Sequence, residues 1–186
     1  TSLDPATAPA ARYADLEVPR ARMADLAGAI EAWVGRVRAH SGNMAVLYVC
    51  GHGLSDEKMT AFVTEDRDEN GEDEINGLVD IDGFVARMAR VPSAQQLLFF
   101  DCCRSRMRLR LADARVIGET FLKQLKMPEP PPRQMAVFAT SLGDVAVGRA
   151  DAPSLFAESL LRTLDHAGAS ARSGSWQVET GDLLTN

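Results

Sequence analysis

The sequence predicts an α/β domain built on a mainly parallel central sheet flanked by helices. Two observations carry that expectation. Apolar runs of strand length occur at Met44–Cys50, Gln96–Asp101 and Met135–Ala139, and segments of helical character separate them. Strands that alternate with helices in this way pair in parallel through right-handed crossovers.

In chain order, residues 1–15 read as a flexible arm, small, polar and Pro-bearing through Arg12. From Asp25 to Arg38 the apolar residues Leu26, Ile30, Trp33, Val34 and Val37 recur at helical spacing, with basic residues on the other face. Gly42-Asn43 marks a turn into the strand Met44–Cys50. After Gly51-His52-Gly53 comes an acidic loop with Glu65, Asp66, Asp68, Glu69, Glu72, Asp73 and Glu74. Asp80 or Asp82 is placed to cap a helix over Gly83–Arg90. Pro92-Ser93 breaks the chain before the strand Gln96–Asp101. An arginine-dense stretch follows, with Arg104, Arg106, Arg108, Arg110 and Arg115, and then a helix is expected over Val116–Lys126. Pro128-Glu129-Pro130-Pro131-Pro132 reads as a stiff linker into the third strand. No internal repeat is evident.

Composition narrows the function. A chain of 186 residues suits one domain with a real core, and 46% hydrophobic with 25% charged residues is ordinary for a soluble globular protein. A net charge of −6 argues against a nucleic-acid partner held mainly by charge. No apolar run approaches the roughly 20 residues that span a bilayer, so no membrane partner is expected. No signal peptide is visible, and the chain opens on Thr1 rather than Met. The three cysteines, two of them adjacent, do not make a disulfide framework, because neighbouring cysteines pair only with strain. A reducing, cytoplasmic setting is expected.

Two strings carry the chemistry. Tyr48-Val49-Cys50-Gly51-His52-Gly53 and Leu97-Leu98-Phe99-Phe100-Asp101-Cys102-Cys103-Arg104-Ser105 are each an apolar run that stops abruptly at reactive polar residues. Strands that end so deliver those residues to the carboxyl edge of the sheet, where such folds build their sites. An imidazole and a thiol on adjacent strand ends make a base-activated sulfur nucleophile. Strand alternation sends Cys102 and Cys103 to opposite faces, with Cys102 packing into the core. His40 and His166 read as surface residues.

These strings resemble the two catalytic motifs of the caspase and metacaspase clan of cysteine peptidases. Caspases carry Gln-Ala-Cys followed by Arg, Gln or Gly and then Gly, with the histidine about fifty residues upstream. This chain keeps the spacing and the Cys-Arg step, but has Asp-Cys for Gln-Ala and Ser for the last Gly. The Asp-x-Cys form is that of metacaspases and their bacterial relatives. Phe138–Asp144 and Ser154–Leu161 are similar to the strand, loop and helix that open the small-subunit half of the family.

The resemblance implies a three-layer caspase-like sandwich over residues 16–186, large-subunit-like to 105, linker 106–133 and small-subunit-like from 134. The family's opening strand has no counterpart before residue 16, so the domain is expected to be incomplete at both ends. It implies Cys103, the cysteine before Arg, as nucleophile and His52 as its base. The backbone amides of Gly53 and Cys103 are implied as the oxyanion hole. Asp101 falls where metacaspases place the aspartate that selects Arg or Lys at P1, and the caspase S1 arginine aligns with Gly148, beside Arg149. Calcium binding, as in many metacaspases, would fall to Asp73 and Asp80; otherwise no cofactor is implied. The expected function is a regulated bacterial stress, defence or cell-death endopeptidase, with a protein or peptide substrate and an activating partner. The rival is a non-catalytic caspase-like interaction module. The segment from Arg104 to Arg133 is expected to be exposed and open to cleavage during activation, with weak order across part of 106–132.

Overall fold

The structure, a computed structural model, describes residues 20–56, 59–66, 77–106, 122, 125–148, 152–167, 169–172 and 175–178. Its centre is a parallel sheet of three strands in the order β1-β5-β7, with β1 over Met44–Gly51, β5 over Gln95–Cys102 and β7 over Arg133–Phe138. All three were expected, within a residue or two at each end.

The pleat sorts the side chains of these strands by parity. Leu47, Val49, Leu98, Phe100, Cys102, Ala136 and Phe138 point to one face, where they meet helix α1 (Met23–Val37) and helix α2 (Ile81–Met88). Val34 and Val37 from α1, and Phe84 and Met88 from α2, are buried there. Each such side chain, fully buried, is worth about 1.5–3 kcal/mol. Tyr48, Phe99 and Asp101 point to the opposite face, where Phe156 of helix α3 (Leu155–Arg162) packs against Tyr48 and Phe99, ring centroids 6.5 Å apart in both pairs. Helices on both faces of a mainly parallel sheet make the expected α/β three-layer architecture.

Local signals explain most boundaries. The Asp80 side chain accepts from the Gly83 N–H at the start of α2, and Ser154 accepts from Ala157 N at the start of α3. Asn43 donates to the Arg36 and Val37 carbonyls, closing the end of α1 before β1 begins. The start of α1 has no cap from its own N-cap residue, Arg22. Asp66 supplies it from far along the chain, accepting from Met23 N at 3.1 and 3.2 Å. Glu65 adds an ion pair with Arg20 and accepts from Ala21 N. Asp66 is therefore a helix-capping group, and Glu65 ties down the segment that enters α1.

Buried Gln96 ties α2 to the sheet. Its amide donates to the Met88 and Val91 carbonyls and to Ser93 Oγ, while its Oε1 accepts from Gln134, which also donates to Val85 O.

A second sheet, which the sequence pattern did not announce, stands at the carboxyl edge of the first. It has four short strands in the order β4-β3-β2-β6: Leu78–Asp80, Thr60–Val63, Gly53–Ser55 and Ser105–Arg106. A hairpin of β8 (Ala169–Arg172) and β9 (Ser175–Val178) follows α3. The expected helix over Val116–Lys126 lies almost wholly outside the described residues. The expected exposure of the segment from Arg104 to Arg133 fails at Leu122, which is 5% exposed and packs in the core, its carbonyl accepting from Arg87. Among the described residues, no helix is long and apolar enough to cross a membrane.

Candidate active site

Strands β1 and β5 run in parallel register, Cys50 beside Asp101 and Gly51 beside Cys102. The next residue of each, His52 and Cys103, therefore leaves the sheet at the same edge. Both line one open cleft of about 450 Å³, together with Gly53, Leu54, Val63, Thr64 and Ser105. His52 is exposed and Cys103 half-buried. The His52 carbonyl accepts from Val63 N at 2.9 Å, which holds the histidine segment against β3.

The glycines on either side of His52 answer to close approach. A Cβ on Gly51 would lie 2.7 Å from the Phe62 ring. A Cβ on Gly53 would lie 2.2 Å from the Cys103 carbonyl oxygen and 2.9 Å from Cys102 Sγ. The Gly53 backbone is thus in direct contact with the Cys103 segment, an approach only glycine permits.

A loop over residues 141–148 lies along the thiol. Arg104 N donates to Asp144 O and Gly143 N donates to Arg104 O, both at 2.9 Å. Cys103 Sγ accepts from Ala146 N at 3.3 Å and stands 3.9 Å from Ala146 O. Arg104 itself turns inward: its guanidinium donates to Thr60 Oγ1 and lies 4.4 Å from the Phe138 ring centroid. The Cys-Arg step of the motif therefore locks the thiol segment to both sheets.

The other two cysteines differ from Cys103. Cys102 is buried, as strand alternation required, and burial pushes its thiol up to about 11, so it stays protonated at neutral pH. Cys50 is exposed, and partial desolvation with the nearby Asp101 charge also raises its thiol.

Asp101 is buried, 4% exposed, on the face opposite Cys102. Its Oδ2 accepts from both the Tyr48 and Ser154 hydroxyls. Burial and the bond to Asp101 hold the Tyr48 phenol well above its ordinary value, so it remains a donor. The carboxylate borders a cleft of about 120 Å³ lined also by Ala139, Thr140, Val145, Ala146, Val147 and Phe156. Ala146 joins the two clefts, because it lines this one and its backbone touches Cys103 Sγ. Gly148 offers no side chain and open space around its Cα, and Arg149 lies outside the described residues.

Of the two calcium candidates, only Asp80 falls among the described residues. Asp73 lies outside the described residues, and Asp80 is buried with its carboxylate committed to capping α2. Among the described residues, no group of three or more His, Cys, Asp or Glu side chains is arranged to hold a metal ion.

A family model for the caspase domain matches residues 15–185. The chain belongs to the caspase-domain family. That family is one of cysteine peptidases, and the two motif strings of this caspase domain sit at the cleft just described. The chain is also similar to the uncharacterized protein y4kE of Sinorhizobium fredii, 26% identical over 114 residues. The match covers 61% of this chain and 30% of that relative, so the matched segment spans less than a third of the relative's length.

Reading the sequence missed three residues of the site: Tyr48, Ser154 and Ala146. Tyr48 was legible in principle, two residues before Cys50 on a strand whose pleat puts both on the Asp101 face. Ser154, a serine just before an apolar helical run, had an N-cap signal but nothing to say it also reaches Asp101. Ala146 acts through its backbone, which carries no sequence signal.

Proposed function

We propose that this chain is a cysteine endopeptidase that cleaves after Arg or Lys, with Cys103 as nucleophile and His52 as general acid and base. The observation that supports it is the single cleft that His52, Gly53 and Cys103 share at the edge of a caspase-domain sheet. His52 takes the Cys103 proton to give the thiolate, the form of sulfur that attacks carbonyls. The thiolate adds to the scissile carbonyl carbon, and the negative charge that develops on oxygen is received by the backbone N–H groups of Gly53 and Cys103. Collapse of the tetrahedral adduct expels the amine, which takes its proton from His52 and leaves an acyl thioester on Cys103. His52, now neutral, removes a proton from water, which attacks the thioester, releases the acid and restores the thiol pair.

Asp101 is the selecting group in this reading. Its buried carboxylate stands at a small cleft next to the Cys103 loop, where a P1 cation gains a charge-assisted contact and a P1 carboxylate meets like charge. A regulated bacterial stress, defence or cell-death role is proposed on the family likeness. The test is a set of peptides differing only at P1. Arg and Lys substrates are cleaved and Asp substrates are not, and Asp101→Asn loses the basic substrates selectively. A profile that favours Asp at P1 contradicts the reading.

A further inference from the structure

The two hydroxyls on Asp101 come from different elements and converge on the same oxygen. Tyr48 belongs to β1, four residues before His52; Ser154 belongs to the start of α3, and its Oγ also accepts from Ala157 N. An ionised carboxylate oxygen has two acceptor positions, and two donors fill them. Among the described residues, the other oxygen, Oδ1, accepts from none. Among the described residues the carboxylate is therefore asymmetric: Oδ2 holds two donors, while Oδ1 faces the adjoining cleft without one.

We propose that Tyr48 and Ser154 form a two-hydroxyl clamp that makes Asp101 a one-oxygen acceptor, so that the enzyme treats P1 lysine and arginine nearly alike. The inference rests on the reading of Asp101 as the P1-selecting residue. Arginine gains its advantage over lysine by laying two parallel N–H bonds across both oxygens of a carboxylate. With Oδ2 occupied, that fork finds one acceptor, and the guanidinium contributes little more than the ammonium of lysine does. Tyr48 and Ser154 are thus positioning residues that set specificity by what they withhold.

The test compares kcat/KM for two peptides identical except for Arg or Lys at P1, in the wild-type chain, Tyr48→Phe and Ser154→Gly. The Phe variant keeps the ring stacked on Phe156 and removes only the hydroxyl. The Gly variant removes the second donor while costing a helix N-cap only a few tenths of a kcal/mol. The wild type is expected to show an Arg-to-Lys ratio within about threefold of unity, and each variant a ratio shifted about tenfold toward arginine as Oδ2 is released. Circular dichroism and a thermal melt confirm that each variant is folded. Because the ratio is internal to each protein, general damage to the fold lowers both rates and leaves it unmoved. A basic preference in the wild type with an unchanged Arg-to-Lys ratio in both folded variants overturns the clamp alone. A wild-type enzyme with no basic preference overturns the Asp101 reading and the clamp with it.

Discussion

Gly53 packs directly on the Cys103 carbonyl: a Cβ at position 53 would stand 2.2 Å from that oxygen, closer than any real contact allows. The residue after the histidine and the residue that carries the thiol are therefore positioned by each other. Gly53→Ala forces the two segments apart, and displacement of about 1 Å at a reacting centre costs on the order of 10²-fold in rate. Peptide hydrolysis by the folded variant is expected to fall by about that factor, chiefly in kcat. Activity near that of the wild type would show that the contact does not set the geometry of catalysis.

Cys102 and Cys103 are adjacent in sequence and opposite in environment. Cys102→Ser places a hydroxyl among apolar neighbours and is expected to lower stability by about 1–3 kcal/mol while hydrolysis persists. Cys103→Ala is expected to abolish hydrolysis with little change in the melting temperature. Paired melts and rates separate the two; the reverse pattern assigns the nucleophile to Cys102.

The Gln96 amide satisfies three acceptors beneath the sheet and receives a bond from Gln134. Gln96→Leu fills the space but strands those groups, and the expected loss is about 2–3 kcal/mol of unfolding free energy in urea. A neutral result would mean that water replaces the amide there.

Burial pushes the Asp66 carboxyl up, but bonds from Thr64 and Met23 and the Arg22 charge outweigh it, and the net value lies below the ordinary 3.8. The bond from Arg20, with its charge, similarly holds Glu65 below its ordinary 4.5. A carboxylate whose folded value is depressed stabilises fully above its unfolded value, and that stability is lost as pH falls through the folded one. Acid is therefore expected to loosen the α1 clamp below about pH 4, beginning near the ordinary carboxylate range. Asp66→Ala removes the cap at a cost of about 1 kcal/mol at neutral pH and flattens this acid limb. Melts taken from pH 7 down to pH 3 read both effects, and parallel curves for the two proteins would contradict the assignment.

What the sequence made legible follows from periodicity. The three parallel strands and helices α1 and α2 each carry an apolar pattern over six or more residues, and α2 also starts at a side-chain cap, Asp80. The second sheet escaped because its strands run two to four residues, too short for a pattern, and because the β2–β6 pairing joins Leu54 to Ser105 across half the domain. His52, Gly53 and Cys103 were legible as a motif, and their shared cleft follows from the register of β1 and β5. The described acidic residues of the loop after His52 serve the backbone. Carboxylates that cap helices and carboxylates that hold calcium look the same in sequence, and Glu65, Asp66 and Asp80 turn out to serve backbone N–H groups.

The central claim is that Cys103 attacks the carbonyl of a basic P1 residue. The direct measurement is intact-mass analysis after treatment with a peptide electrophile bearing arginine at P1, followed by peptide mapping of the adduct. One adduct per chain is expected, on Cys103, prevented by Cys103→Ala or by excess arginine peptide and greatly slowed by His52→Ala. An adduct on Cys50 or Cys102, or labelling by an aspartate electrophile in place of the arginine one, would contradict it.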